Sequence, residues 1–197
     1  MHGSHQMKED ITARLNKIIE RLESKGLIEN TGLGNEIGFY IFDYPPEDEL
    51  RVREYIKFIL EHLGKKRPDL RVQHVNLFEL IVNYLKKRNL LESALKIQQE
   101  KGDEAMRKAL AGPLHEEKIA RAFIDEAQPE THDIILMSGV GNAWPLLRSH
   151  TLLNNLHPLM QRTPLVVFYP GVYNGQELSL FGRLGDNNYY RAFRLVP

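Results

Sequence analysis

The chain has 197 residues, of which 42% are apolar and 26% charged, a balance typical of folded domains rather than disordered segments. Its 26 Lys and Arg residues are matched by 26 Asp and Glu residues, so no overall charge attracts nucleic acid or an anionic membrane. With no cysteine, disulfides, thiol catalysis and thiolate metal sites are excluded, and no apolar run approaches the roughly 18 residues of a membrane span.

The N-terminal part predicts one helix and one strand. Residues 1–6 have the composition of an affinity-tag remnant, and we expect the native chain to begin at Met7. Apolar residues at helical spacing predict an amphipathic helix over residues 10–24, with Gly26 as its C-terminal cap. The short apolar run from Phe39 to Phe42 predicts a strand that ends in a turn.

A helix, a strand and a second helix are predicted next. Pro46 and the acidic residues after it favour a helix start, and Gly64 marks the predicted end of that helix. Weak alternation of apolar residues predicts a strand over residues 71–75. Asn76 is a favourable N-cap for the helix that follows.

Residues 90–127 are predicted to form a helical excursion between strands. They are rich in alanine, leucine and long charged side chains, which favour helices. Gly102 and the pair Gly112-Pro113 divide the segment, which therefore predicts two or three short helices rather than a second domain.

The C-terminal part predicts two more buried strands and a final short one. Residues 134–137 predict a strand that turns into a helix, with Pro145 at the first helical position. Residues 165–169 predict another strand, which runs into a turn at Pro170-Gly171. A last strand is expected within residues 190–196.

This alternation of strands and helices predicts an α/β fold with a mostly parallel central sheet between two layers of helices. It would be Rossmann-like or P-loop-like without Walker motifs. The apolar runs FYIF, DIILM and LVVFY are continuous, as in strands buried on both faces. We expect residues 7–197 to form a single domain.

Ligands in such sheets bind in the crevice beyond the carboxyl ends of the strands. Five residues are predicted there as candidates for ligand binding: Asp43, Ser138, Gly139, Gly141 and Tyr169. The two glycines lie between a strand and a helix, where backbone amides can approach a phosphate. The Gly-Lys-Ser/Thr ending of a P-loop is missing, so a tight turn that requires glycine is the alternative.

No motif predicts catalysis or a metal centre. A triad of Ser138, His150 and Asp43 would lack the GxSxG turn of serine hydrolases. The histidines form neither HExxH nor another close ligand pair. We therefore expect a protein without enzymatic activity, metal ion or other cofactor.

The segment from Pro170 to Tyr190 is a candidate docking loop. Its aromatic residues lie among Asn, Gly, Asp and Arg, which predicts partial exposure, and tyrosine is common in interface hot spots. The predicted partner-binding residues are Tyr173, Phe181, Arg183, Tyr189 and Tyr190. The alternative is that Phe181, Tyr190 and Phe193 belong to the core.

Two basic clusters follow predicted helices. They consist of residues 65–67, Lys-Lys-Arg, and residues 86–88, again Lys-Lys-Arg. Cations are favourable at a helix C-terminus, which predicts solvated helix ends. The alternative is a surface that binds the phosphates of nucleic acid.

Three segments together resemble a known family. They are GLGNEIGFYIFDYPPEDEL, SGVGNAWPLLRSHTLLNNL and PLVVFYPGVYNGQELSLFGRLGDNNYYRAFRLV, which are similar to BrxB, a component of bacterial BREX phage-defence systems. The resemblance spans nearly the whole chain from about Met7, whereas residues 90–130 carry little signature.

The resemblance implies an accessory subunit, since the BrxB family has no established catalytic residues. It implies a cytoplasmic protein that supports phage restriction and host DNA methylation by binding other BREX proteins. PglZ, of the alkaline-phosphatase superfamily, is the expected direct partner, and any association with DNA would be indirect, through the complex. The alternative is a degenerate nucleotide-binding domain that uses Gly139, Gly141 and Asp43, or a nucleic-acid-binding domain that uses the basic clusters.

Overall fold

A computed structural model describes residues 10–29, 38–185 and 192–197. In these residues the central sheet consists of five parallel strands, β1 Phe39–Tyr44, β2 Val72–Asn76, β3 Ile134–Ser138, β4 Leu165–Tyr173 and β7 Phe193–Arg194. Their order across the sheet is β2-β3-β4-β1-β7. The outer part of β4 pairs antiparallel with β5 Leu178–Leu180, which pairs with β6 Leu184–Gly185. We call residues 170–185 the tail hairpin.

Helices cover both faces of the sheet. One face carries α1 Ile11–Asn16, α2 Ile18–Leu22, α3 Lys25–Ile28 and α4 Glu49–Lys66. The other carries α5 Leu77–Lys87, α6 Leu91–Lys101, α7 Asp103–Leu110, α8 Glu116–Ala127, α9 Val140–Ala143 and α10 Ser149–Leu156. The predicted three-layer α/β class is therefore confirmed, although the Rossmann-like description fits only loosely.

Burial on both sides explains the continuous apolar strands. Phe39 and Ile41 of β1 point into the core under α5–α10, whereas Tyr40 and Phe42 point into the core under α1–α4. Successive side chains of a strand alternate between faces, so every position of β1 must be apolar until Asp43. The same alternation holds in β3 and β4.

Several local predictions are confirmed. Asn76 caps α5, since its Oδ1 accepts hydrogen bonds from the backbone N–H groups of Phe78 at 3.0 Å and Glu79 at 3.2 Å. The excursion consists of three helices, α6 to α8, and Gly102 separates the first two with a φ of +83°.

The predicted helix over residues 10–24 is wrong in detail. A tight turn at Lys17, whose N–H bonds to the carbonyl of Arg14, splits it into α1 and α2. Gly26 lies inside α3 instead of capping a helix. Gly64 lies inside α4, which continues to Lys66, because one glycine costs a helix only about 1 kcal/mol and the adjacent Leu63 is buried in the core.

Two proline predictions are also wrong. Pro145 lies in a turn, after a cis peptide bond from Trp144, and α10 begins at Ser149. Pro170 and Gly171 lie within β4 and form no turn. A Cβ on Gly171 would lie 2.2 Å from the carbonyl oxygen of Ser179, so this glycine permits close pairing of β4 with β5.

An ion pair between Arg14 and Asp43 joins α1 to the carboxyl end of β1. Arg14 Nη2 lies 2.9 Å from Asp43 Oδ1, and the two side chains are only 14% and 12% exposed. The guanidinium also donates to the carbonyl oxygens of Asp43 at 2.7 Å and Val196 at 3.3 Å, and lies over the Phe42 ring. Three distant segments therefore meet at one buried pair of charges.

Tyr173 fastens the C-terminal segment to the same site. Its backbone N–H donates to Asp43 Oδ2 at 3.0 Å, and its hydroxyl donates to the carbonyl oxygen of Ala192 at 2.7 Å. The Arg194 guanidinium donates to the Tyr173 carbonyl. The ring is fully buried, so Tyr173 links β1, β4 and residues 192–197.

We expect Arg14→Ala to lower the free energy of unfolding by about 3–5 kcal/mol, because it leaves the Asp43 carboxylate buried without its cation. Urea unfolding followed by circular dichroism measures the loss. Lys57→Ala is the control, since Lys57 and its partner Glu54 are largely exposed, and the substitution should cost at most about 1 kcal/mol. Similar losses for both variants would contradict the stabilising role of the buried pair.

Candidate functional site

The carboxyl ends of β1, β3 and β4 lie side by side. Asp43 is in register with Tyr169 across β1 and β4, and Met137 with Val167 across β3 and β4. The sheet therefore brings Asp43, Ser138 and Tyr169 to one edge. The tail hairpin continues β4 beyond this edge, and Tyr169 is buried.

The two glycines after β3 pack against the protein itself. Gly139 has a left-handed backbone with φ of +72°, and a Cβ there would lie 2.2 Å from Asn76 Oδ1, the atom that caps α5. A Cβ on Gly141 would lie 2.9 Å from Pro170 Cγ and 3.0 Å from Phe181 Cε1. These contacts explain both glycines by tight packing and support the turn interpretation over a phosphate loop.

A polar network not anticipated from the sequence crosses the same edge. The Tyr44 hydroxyl donates to Glu49 Oε2 at 2.5 Å, and Arg53 donates to both Glu49 Oε1 and Asn142 Oδ1 at 2.8 Å. Burial and the nearby Glu49 carboxylate raise the pKa of Tyr44, which keeps its hydroxyl a hydrogen-bond donor. Arg53 thereby connects α4 on one face of the sheet to α9 on the other.

The residues of the imagined triad are not brought together. Asp43 is occupied by Arg14 and Tyr173, and His150 Nε2 lies 3.0 Å from the Thr151 hydroxyl. Ser138 Oγ instead lies 2.8 Å from His74 Nε2. Sequence reasoning missed this pair because it depends on β2 lying beside β3.

The pair of Ser138 and His74 links two strands. A serine bonded to histidine also occurs in activated nucleophiles, but Ser138 is only 5% exposed, which makes it a poor target for a substrate. Burial lowers the pKa of His74, so its ring stays neutral at neutral pH.

The expectation of partial exposure is wrong for Tyr173, which is fully buried. Alternation along β4 explains this, because Tyr173 faces the core whereas Val172 faces solvent at 51% exposure. Phe181 is half-buried, and its ring packs edge-on against the Trp144 ring, with 6.2 Å between the ring centres. Arg183 is exposed. Tyr189 and Tyr190 lie outside the described residues, as do residues 1–6 and Met7.

Three exposed apolar side chains lie on the tail hairpin or beside it, and the strand register places Val172 and Leu184 on opposite faces of the hairpin. Val172, Trp144 and Leu184 are 51%, 44% and 39% exposed. Of these three, only the exposure of Val172 could be inferred from the sequence, because it lies between two residues of β4 that face inward. Phe181 joins Trp144 to the hairpin, and a Cβ on Gly182 would lie 3.9 Å from Val172 Cγ2. We call this region the tail surface, formed by Trp144, Val172, Phe181, Arg183 and Leu184.

The two basic clusters do not form one surface. Residues 65–67 end α4, whereas residues 86–88 end α5 on the opposite face of the sheet. Arg67 is neutralised by Asp69 at 2.8 Å and by Glu23 at 4.0 Å, and the hydrogen bond from Arg67 lowers the pKa of Asp69.

Neither a metal centre nor a membrane span is found in the part of the chain that the structure describes. Its histidines and carboxylates form no group of three or more suited to a metal ion. None of its helices combines the length and apolar character needed to cross a membrane.

We expect Gly139→Ala to lower the free energy of unfolding by about 2–4 kcal/mol, because a left-handed alanine and a clash with the Asn76 cap add together. Gly182→Ala is the matched control, since Gly182 has a φ of +66° but only an ordinary contact nearby, and should cost about 1 kcal/mol. Urea unfolding compares the two, and equal losses would show that contact with Asn76 does not matter.

We expect the free energy of unfolding to fall as the pH drops below about 6.5, the pKa of an unfolded histidine. In this pH range His74 is protonated in the unfolded chain, whereas its lowered pKa keeps it neutral in the folded chain. His74→Gln should flatten this dependence, whereas His115→Gln, at an exposed position, should leave it unchanged. Denaturant titrations between pH 5 and pH 8 decide the matter, and a wild-type slope in His74→Gln would refute it.

Comparison with known proteins places the chain in a family. A family model described as BREX protein BrxB matches residues 73–195. A BREX protein BrxB from Escherichia coli O9:H4 (strain HS) is 44% identical over 184 residues, which cover 93% of this chain and 90% of the relative. A second BREX protein BrxB, from Bacillus cereus (strain H3081.97), is 42% identical over 190 residues, which cover 94% and 97%.

No solved structure matches significantly. Both relatives agree with the family model and extend over more of the chain than the model does. The chain belongs to the BrxB family of BREX proteins.

Proposed function

We propose that this protein is a non-catalytic interaction subunit of a BREX phage-defence complex in the cytoplasm. Family membership makes it a BREX protein and supports a role in defence against phage. In this proposal it supports phage restriction and host DNA methylation by binding other BREX proteins, with PglZ as the direct partner, and meets DNA only through the complex.

The tail surface is the observation that carries the proposal. Exposed apolar side chains are typical of protein interaction sites, and three of them lie on this hairpin or beside it, at 39–51% exposure. Tryptophan and arginine, both enriched in hot spots, are represented by Trp144 and Arg183. With Val172 and Leu184 they give a partner both apolar and charged side chains to contact on the tail hairpin and beside it.

The hairpin backbone is held in place before any partner arrives. Phe181 N–H donates to the carbonyl oxygen of Pro170 at 2.9 Å, and β4 pairs with β5 from Gly171 to Tyr173. The last residue of β4 is fixed by the hydrogen bond from the Tyr173 N–H to the Asp43 carboxylate. A rigid surface loses little conformational entropy on binding, which favours recognition by the tail hairpin.

Tyr173 has a different role from the one predicted from sequence. Its buried ring and its bonds to Asp43 and Ala192 hold the hairpin against the sheet, so it supports the tail surface from beneath. The predicted roles of Tyr189 and Tyr190 stay predictions. The nucleotide-binding alternative also stays a prediction, and the contacts of Gly139 and Gly141 give it no support.

Co-expression of the tagged protein with the other genes of its BREX operon tests the proposal. We expect PglZ to co-purify in a stable complex, identified by mass spectrometry. Purification of the protein alone, with every other component well expressed, would overturn the proposed function.

We expect the double variant Val172→Asp with Arg183→Glu to weaken PglZ binding by at least about tenfold while leaving the fold intact, because it places opposite charge and polar groups in the tail surface. Titration of purified PglZ measures the affinity. Leu50→Asp is the matched control, since Leu50 is an apolar residue on α4 that is 71% exposed, and should bind normally.

Tyr173→Ala tests whether Tyr173 stabilises the folded hairpin rather than contacting the partner protein. We expect it to lower the free energy of unfolding by about 3–5 kcal/mol because it empties a buried aromatic site. Wild-type affinity in the double variant would remove the tail surface from the interface, whatever Tyr173→Ala does to stability.

A further inference from the structure

A groove lies between α5 and α8 on the face of the sheet away from α4. Its volume is about 510 Å³, within the range of ligand-binding clefts. Leu80 is buried and Ala122 half-buried, so these two form its apolar floor together with the ring of Tyr84. This groove shares no residue with the tail surface.

Positive charge is concentrated along the groove. Lys87 and Arg88 line it from α5, and Lys118 and Arg121 line it from α8. None of the four takes part in an ion pair among residues 10–29, 38–185 and 192–197, although Lys118 Nζ donates to the carbonyl of Gly112 at 2.9 Å. Of the eleven other described arginines, by contrast, seven have a carboxylate partner or donate to a backbone carbonyl. The two carboxylates of the groove, Asp125 and Glu126, offset only part of this charge.

Tyr84 adds a second observation that points to a ligand. Its hydroxyl oxygen is buried and has no hydrogen-bond partner among the described residues, and a buried hydroxyl left unpaired is unfavourable. The Arg88 guanidinium lies 4.8 Å from the centre of the Tyr84 ring, which holds the cation over the groove. A carboxylate or carbonyl oxygen bound there would satisfy both groups.

We propose that the groove between α5 and α8 binds an acidic peptide segment of a partner protein. Unpaired arginines recognise carboxylates well because the guanidinium can donate two parallel hydrogen bonds. The apolar floor suits the short side chains of a peptide, and the Tyr84 hydroxyl suits its backbone carbonyls. The inference goes beyond the proposed function, because it concerns a second surface and needs no contact at the first.

The groove favours a peptide over nucleic acid. Asp125 and Glu126 would repel a continuous chain of phosphates, whereas a peptide can place an amide or a basic side chain beside them. Nucleic-acid binding also gains most from a strongly positive protein, and this chain has no net formal charge. From Leu80 to Arg88 the groove runs about 12 Å along α5, the length of about four extended residues.

Fluorescence anisotropy at physiological salt tests the proposal with the purified full chain. The probe is a fluorescein-labelled peptide of about eight residues in which glutamate and alanine alternate. We expect saturable binding that Arg88→Glu with Arg121→Glu weakens at least about tenfold. Tyr84→Phe, which removes only the hydroxyl, should weaken it by about threefold. Lys65→Glu with Lys66→Glu on α4 makes the same change in charge far from the groove and should leave binding within about twofold.

Three results would overturn the proposal. The first is no binding of the glutamate peptide at millimolar protein. The second is equal weakening by the groove and α4 double variants, which would indicate general attraction between charges. The third is tighter binding of a thymidine oligonucleotide of the same charge, which would assign the groove to nucleic acid. Circular dichroism confirms that each variant is folded, and loss of PglZ binding in the tail-surface variant would have no bearing on these outcomes.

Discussion

The structure depends on the buried charge pair of Arg14 and Asp43. Asp43 is the first charged residue of β1, and its two carboxylate oxygens accept hydrogen bonds from Arg14 and from the backbone N–H of Tyr173. Because an unpaired charge inside a protein is very unfavourable, α1, β1, β4 and the C-terminal segment are all obliged to meet there. Together with the pairing of β4 with β1 and β5, this requirement fixes the position of the tail hairpin relative to the sheet.

The carboxyl edge of the sheet is filled by the protein's own residues. In many α/β proteins this edge holds the ligand, but here Asn76, Pro170 and Phe181 pack onto the glycines that would otherwise approach a phosphate. The chain thus fills the inner part of its own crevice. What remains exposed at this end of the molecule is the tail hairpin, on which Val172 and Leu184 contact solvent, and the proposed binding surface therefore lies beyond the sheet.

Most strands and several helix ends could be predicted, because the residues that favour them locally are also the residues that the fold buries or uses as caps. The runs FYIF, DIILM and LVVFY identify strands covered on both faces, and Asn76 and Gly102 mark helix ends by their own chemistry. The site was less predictable because its residues acquire roles from strand order. The bond between His74 and Ser138 requires β2 beside β3, and Pro170-Gly171 resembles a turn until Ser179 is placed opposite. The groove between α5 and α8 forms only when these two helices, which are separated in the chain by α6 and α7, pack side by side.

The bond between Arg14 and Val196 has a consequence for how the protein folds. These residues are 182 positions apart in the chain, and the central strand β4 also pairs with strands that precede it by many residues. Contacts of such long range slow folding, because the entropy of closing large loops is lost before the contacts form. During synthesis the carboxylate of Asp43 therefore stays exposed to solvent until its last partners have been translated. The sheet can form completely only after almost the entire described chain has been synthesised.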